Sequence, residues 1–400
     1  MRTEVLLLIA RQFWSGTFQS KALYPLLGVM AVLLLFAGYG GLRYHEQNHY
    51  RTEHQEMARE SWEANPDKHP HRMAHFGTFA FRQKHPLSIF DFGIESYTGN
   101  AVFLEAHRQN TANFSEAGFS TGLLRFGELS LAMILQTLLP LVLFFVGYAA
   151  LVQDRENGTL KILLTQGATW REILVGKTLG LFAIGFFFLL PFLLTTLVFL
   201  LVEEHTSADD LLRFAGIAGV YLIYLAVVCL VTILVSASSG SSKSALVKLL
   251  GLWLLMTVLV PRTAQAVGAY LHGTPSKLEF KAAIEEEVIQ YGDSHDPNDP
   301  YFNFMRDSVL AVHGVATVAE LPFNYGGFIM AQGERISAVI YEKHQQQLVQ
   351  QFRKQNQLTR GLALANPFLA IRNLSMALCG TDRFRPAVGN PHRIRNQSHR

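Results

Sequence analysis

The sequence predicts an all-α polytopic membrane protein with about five transmembrane helices plus two mixed α/β or irregular extracytoplasmic insertions. Two observations carry this. Half of the 400 residues are hydrophobic and only 16% are charged, and the apolar residues are gathered into long blocks instead of recurring at helical or strand period. A bilayer core needs about 20 apolar residues per helix, and such a helix satisfies its own backbone hydrogen bonds in lipid. An ordinary soluble domain is excluded.

Residues 1–21 mix apolar and polar positions, with Leu6, Ile9, Phe13 and Phe18 broadly on one side. This reads as an interfacial helix on the cytoplasmic leaflet. No small-residue cleavage site follows a short apolar core, so no signal peptide is expected. The first span, 22–42, carries no charge and lies between Lys21 and Arg43. The second, 129–152, the third, 178–202, and the fourth, 214–238, are equally free of Asp, Glu, Lys and Arg. The fifth, 244–262, contains Lys248 and Arg262, which must snorkel to the interfaces.

Short-loop Lys and Arg set orientation. Arg2, Arg11 and Lys21, then Arg155, Lys161, Arg171 and Lys177, then Lys243 and Lys248, share one face if the N-terminus is cytoplasmic. The other face then receives 44–128, an acidic loop with Glu203, Glu204, Asp209 and Asp210, and 263–400 with its tail. Phe79-Ala80-Phe81 has strand character, Asn65-Pro66 and His85-Pro86 are loop signals, and Tyr291 to Pro300 is a Gly/Asp/Asn/Pro-rich loop. Residues 335–359 read as a long polar helix. Cys229 and Cys379 are too few for a disulfide framework, and a net charge of +3 gives no reason to expect nucleic acid.

The most informative stretch is the 153–177 segment joining the second and third spans. Charges lead in Gln153-Asp154-Arg155-Glu156, Gly158-Thr159 make a turn, and Leu160, Ile162, Leu163 and Leu164 offer an apolar surface before Gly176-Lys177. This order of residues resembles the permeases of ABC-2 type exporters, whose Arg-Glu-x-Gly-Thr-Leu is followed by Leu-Leu, a small turn and Gly-Lys. The resemblance implies that the segment couples to a separate ABC ATPase subunit through Arg155, Glu156, Gly158, Thr159, Leu160, Gly176 and Lys177. It further implies a second permease copy or related permease, a bacterial inner-membrane location, no cofactor of the chain's own, and ATP use by the partner.

A subgroup of these permeases with an outer domain of unknown function is resembled more widely. The residues are His75-Phe76-Gly77 after Ala74, Tyr97-Thr98-Gly99, Phe103 through Asn110, Arg125-Phe126-Gly127, Leu321-Pro322, Asn324-Tyr325, Asn366-Pro367 and Leu374 through Ala377. Where that subgroup continues into a sixth span, this sequence runs from Thr381-Asp382 into a short basic polar tail.

Three local patterns compete with these readings. His45-Glu46-Gln47-Asn48-His49 matches the zinc-protease H-E-x-x-H, but it lies in a stretch crowded with His54, His69, His71 and His75, where chance matches are common. The expectation is therefore no metal site. Gly176-Lys177-Thr178 imitates a phosphate-loop ending, but position 171 is Arg where that loop needs Gly. Gln136 and Pro140 are a possible substrate pathway, since polar groups and helix breaks in lipid tend to be functional. A membrane-anchored scaffold or sensor with periplasmic binding domains is the second reading of the whole.

Overall fold

In a computed structural model, the described residues are 1–21, 23–64, 75–94, 97, 99, 101–105, 129–203, 206–292, 296 and 298–382. Asn65-Pro66, His69, His71, Ala74, Thr98, Ala106 to Asn110, Arg125 to Gly127, Glu204 and the tail from Arg383 lie outside them.

Among the described residues, five helices are long and apolar enough to cross a membrane. The first, α2, follows α1 (Thr3–Gln19) and spans Leu23–Glu63. It does not stop at residue 42 as the sequence reading expected. No Pro or Gly interrupts 43–63, and pairs at helical spacing, Arg43–Glu46 and Arg59–Glu63, support its polar half.

Leu131–Met133, a π-turn at Ile134–Leu138 and Leu139–Gly147 form α3. Short α4 (Val152–Glu156) and α5 (Thr159–Thr165) lead to α6 (Trp170–Val202) and α7 (Ala208–Ser238). The last span, α8, comprises Ser242–Leu254, a second π-turn at Leu255–Leu259 and Val260–Leu271.

Several boundaries differ from expectation because N-terminal caps outrank apolarity. Thr169 and Glu172 form a capping box, so α6 starts eight positions before residue 178. Ser207 and Asp210 form another, so Asp209 and Asp210 belong to the first turn of α7 and not to a loop. The fifth span runs to Leu271, not 262, because Pro261 falls at the start of its last helical segment, where a missing N–H is tolerated.

After α2, β1 (Thr78–Phe81) pairs antiparallel with β2 (Ala101–Leu104). The polar half of α2 supports this hairpin, since Gln55 Oε1 accepts from Phe81 N at 2.9 Å and Asn48 Oδ1 from Lys84 N at 2.8 Å. Beyond α8, the described residues form helices joined by loops, with no strand among them. These helices are α9 (Lys277–Tyr291), α10 (Pro300–His313), α11 (Tyr325–Leu362) and α12 (Pro367–Cys379). The long polar helix predicted over 335–359 is the C-terminal two thirds of α11.

The main core lies among α3, α6, α7 and the buried face of α12. Small residues set the helix approach: a Cβ on Gly185 would stand 2.4 Å from Leu225 Cδ1, and one on Gly147 2.6 Å from Thr232 Cγ2. Helix α1 lies along α6 in parallel, from Arg2 beside Glu172 to Phe18 beside Phe187.

Candidate functional site

The 153–177 segment folds into a compact platform. Gly158 has φ +79°, the left-handed region that glycine enters without a Cβ clash, and this lets the chain turn from α4 into α5. Leu160 is buried beneath α5, and Val152 and Ile173 are buried at the two ends.

The charged residues at the platform's start are spent on neighbouring helix ends. Arg155 Nη1 donates to Ser239 O at 3.0 Å and Nη2 to Ala237 O, meeting the unpaired carbonyls and negative dipole end of α7. Glu156 accepts from Ser242 N at 3.0 Å and from Ser242 Oγ, meeting the positive N-terminus of α8. An adjacent cation and anion thus clasp the short α7–α8 link from both sides. Ser236 Oγ reinforces the clasp by accepting from Leu151 N and Val152 N at 3.0 and 3.2 Å.

Lys177 pairs with Asp154 at 2.8 Å and lies over the Phe13 ring, joining the two ends of the segment to α1. Gly176 is the seat of α1: a Cβ there would lie 2.8 Å from Ile9 Cβ. Arg2 closes the arrangement, with its backbone N 2.8 Å and Nη2 2.9 Å from the buried Glu172 carboxylate. Thr159 is the first residue of α5.

The seven residues named from the sequence lie at one end of the bundle: Leu160 and Gly176 are buried, Gly158, Thr159 and Lys177 partly so, and Arg155 and Glu156 are exposed but bonded to the ends of α7 and α8. The rest of the outward surface is made by other residues: Lys161, Thr165, Gln166 and Arg171 are exposed, with Ile162, Leu164 and Trp170 among them, 56%, 42% and 41% exposed. The simple alternation of polar and apolar positions did not separate these two roles.

Gln136 and Pro140 lie in a second, buried place. Pro140 lacks an N–H, so the carbonyl four residues back, Gln136 O, has no helical partner. Tyr224 Oη donates to it at 2.8 Å. Trp253 Nε1 donates to the neighbouring Thr137 O at 2.8 Å. Pro261 follows the second π-turn at the same spacing as Pro140 follows the first, and there Asn366 Nδ2 donates to Met256 O, the carbonyl five residues before the proline, at 2.9 Å.

The Gln136 side chain is buried and donates to Tyr221 Oη at 2.8 Å. Tyr221 donates to Ser375 Oγ at 3.1 Å, and Ser375 donates to Asp91 Oδ2 at 2.5 Å. Gln136 Nε2 also lies 3.4 Å from that oxygen, and Gly93 N donates to Asp91 Oδ1 at 3.0 Å. Every donor in this chain points towards one carboxylate. Tyr221 lies 13 positions into α7, about 20 Å from its start at 1.5 Å per residue.

Asp91 reaches this depth because the buried turn Pro86–Ile89 and Phe90 fold inward against α7. Phe90 O accepts the Ala132 N–H at the start of α3, and its ring meets Tyr221 edge-on at 5.2 Å. Sequence reasoning found Gln136 but missed Asp91, Tyr221 and Ser375, whose proximity is created by α12 packing against α7. The sole hint was an unpaired acid between two apolar runs.

The H-E-x-x-H residues lie on α2 and are paired elsewhere: His45 Nδ1 with Glu203 at 2.9 Å, His49 Nδ1 with Glu53 at 3.4 Å, and Glu46 with Arg43. Among the described residues, no group of three or more His, Cys, Asp or Glu is set to hold a metal ion. Gly176-Lys177-Thr178 is interior to α6 and forms no loop.

A family model described as a domain of unknown function, DUF3526, matches residues 277–386. These residues run from α9 to just past α12, so the matched segment contributes Ser375 to the buried chain. No curated protein matches the sequence.

Proposed function

We propose that this chain is the transmembrane subunit of an ABC-2 type exporter in a bacterial inner membrane, driven by a separate ATPase that docks on the 153–177 platform. The N-terminus and platform are cytoplasmic in this reading, and a second permease copy, or a related permease, completes the membrane part. The chain contributes no nucleotide site; ATP is bound by the partner.

One observation carries the reading. The platform exposes Ile162, Leu164 and Trp170 beside Lys161 and Arg171, while its own fold is secured from behind by Arg155, Glu156 and Lys177. A rigid base with an apolar, basic-rimmed outer surface suits a protein partner. A chain serving only to anchor outer domains has no use for it. Motion of such a base is transmitted to α3, α7 and α8, since the platform is bonded to the ends of the latter two and continuous with the first.

The test is affinity purification of the tagged chain from detergent-solubilised membranes. An ATPase is expected to co-purify, and Ile162→Asp with Leu164→Asp is expected to abolish its recovery without changing the chain's elution volume. A wild-type chain that emerges alone, or a double variant that keeps the ATPase, refutes the proposal.

A further inference from the structure

A cleft of about 430 Å³ opens where the C-terminal turns of α11 meet α12. It falls within the roughly 300–1,000 Å³ typical of small-molecule sites. From α11 it is lined by Asn356, Thr359 and Arg360, from α12 by Arg372 and Asn373, and from the chain beyond α12 by Asp382. The lining thus holds two arginines and one aspartate, and Arg82 lies within electrostatic reach of that aspartate.

Arg372 is the informative residue. Its guanidinium carries five N–H donors, yet among the described residues it has no hydrogen bond and no carboxylate within ion-pair distance. The nearby Asp91 attracts it electrostatically, but the Asp91 oxygens already receive Ser375, Gln136 and Gly93. Asp91 therefore offsets part of the Arg372 charge from behind without occupying its donors. Thr359, which also lines the cleft, has a buried Oγ1 that likewise has no partner among the described residues. A half-buried arginine with unused donors beside an orphan hydroxyl is costly to keep unless something supplies acceptors.

We propose that this cleft binds a phosphate-bearing anion, held bidentately by Arg372 with help from Arg360 and accepting from Thr359 and the two asparagine amides. A planar guanidinium fits two phosphate oxygens at once, and two arginines with neutral amide donors favour one small anionic group over a long acidic polymer. The same chemistry is offered by an anionic lipid headgroup and by a free phosphate. The site stands independently of the ATPase reading.

The full chain in nanodiscs distinguishes the two sources. In neutral phosphatidylcholine discs, inorganic phosphate is titrated and the thermal midpoint followed; in parallel, discs containing phosphatidylglycerol are examined for lipid retained by the protein in native mass spectrometry. A saturable response to phosphate identifies a free anion, and selective retention of phosphatidylglycerol identifies a headgroup; either supports the site. Arg372→Gln is expected to weaken the positive arm at least tenfold, and Arg360→Gln to weaken it severalfold. Arg360 is exposed, so its variant decides the matter if Arg372→Gln fails to fold. Binding in neither arm, or binding unchanged in the folded variants, overturns the proposal.

Discussion

Adding a single methyl group at Gly176 or Gly180 tests whether α1 is built into the bundle or merely lies beside it. The two glycines are four apart and form a small-residue groove on α6 in which α1 rests. A Cβ at Gly176 would stand 2.8 Å from Ile9 Cβ and 3.1 Å from Leu6 O, and one at Gly180 2.9 Å from Ala10 O. The obstructions are backbone and Cβ atoms, so no rotamer change relieves them and α1 itself has to shift. Overpacking of this kind costs about 1–3 kcal/mol per site, against a gain of up to about 1 kcal/mol for replacing a helical glycine by alanine. The Gly176→Ala/Gly180→Ala double variant should therefore lose about 2–4 kcal/mol, the sum of net costs near 1–2 at each. Gly219 in α7 has nothing within 4 Å of its Cβ position, so Gly219→Ala should be neutral or stabilise by up to about 1 kcal/mol. Unfolding in mixed micelles, titrated with SDS and followed by circular dichroism, measures both. A double variant that unfolds with the wild type, or a Gly219→Ala that falls further than it, refutes the packing argument.

Three other outcomes are expected. Tyr221→Phe removes the hydroxyl between Gln136 and Ser375 and should cost about 1–2 kcal/mol in the same titration, whereas Phe90→Leu, which keeps every hydrogen bond, should leave the Tyr221-dependent difference in place. Arg155→Ala and Glu156→Gln each open one side of the clasp on the α7–α8 link, so amide exchange of residues 237–244 should accelerate in both. Protection equal to wild type would mean that the clasp is ornamental. Lys343 and His344 hold the Glu287 carboxyl below its ordinary 4.5, so the α9–α11 contact is strengthened above that value and loses this support as pH falls through the lower folded value. Protease resistance of α9 should decline with acidification in wild type and lose that dependence in Glu287→Gln.

The spans were legible because lipid imposes a simple rule on composition, and five charge-poor blocks leave little choice. Their ends were less so. Asp209, Asp210 and Glu172 count as charges against a span in a hydropathy window, yet a carboxylate in the first turn of a helix is a cap and extends it. The polar half of α2 was hidden for the opposite reason: loss of apolarity marks the end of the lipid-facing part and says nothing about where the helix stops. The 153–177 segment shows its charge-then-apolar order in the sequence, but Arg155 and Glu156 acquire their partners only when α7 and α8 end side by side. Asp91 and Ser375 stand 284 positions apart, and no local pattern could join them.

The two π-turns show how such long-range construction is stabilised without water. A proline in a buried helix strips a hydrogen bond from a carbonyl behind it, and in an apolar surrounding that carbonyl needs another donor. Here the donors come from other helices: Tyr224 of α7 and Trp253 of α8 serve α3, and Asn366 at the start of α12 serves α8. Each break in one helix is thereby converted into a directional bond to another, so Pro140 and Pro261 fix register across the bundle. The same α3 that receives two of these bonds continues into Leu151 and Val152, whose amides meet Ser236 of α7. Helix α3 is consequently tied to α7 at both its π-turn and its platform end. In the proposed exporter, a displacement delivered through Ile162 and Leu164 would reach the Gln136–Tyr221–Ser375–Asp91 chain along these ties.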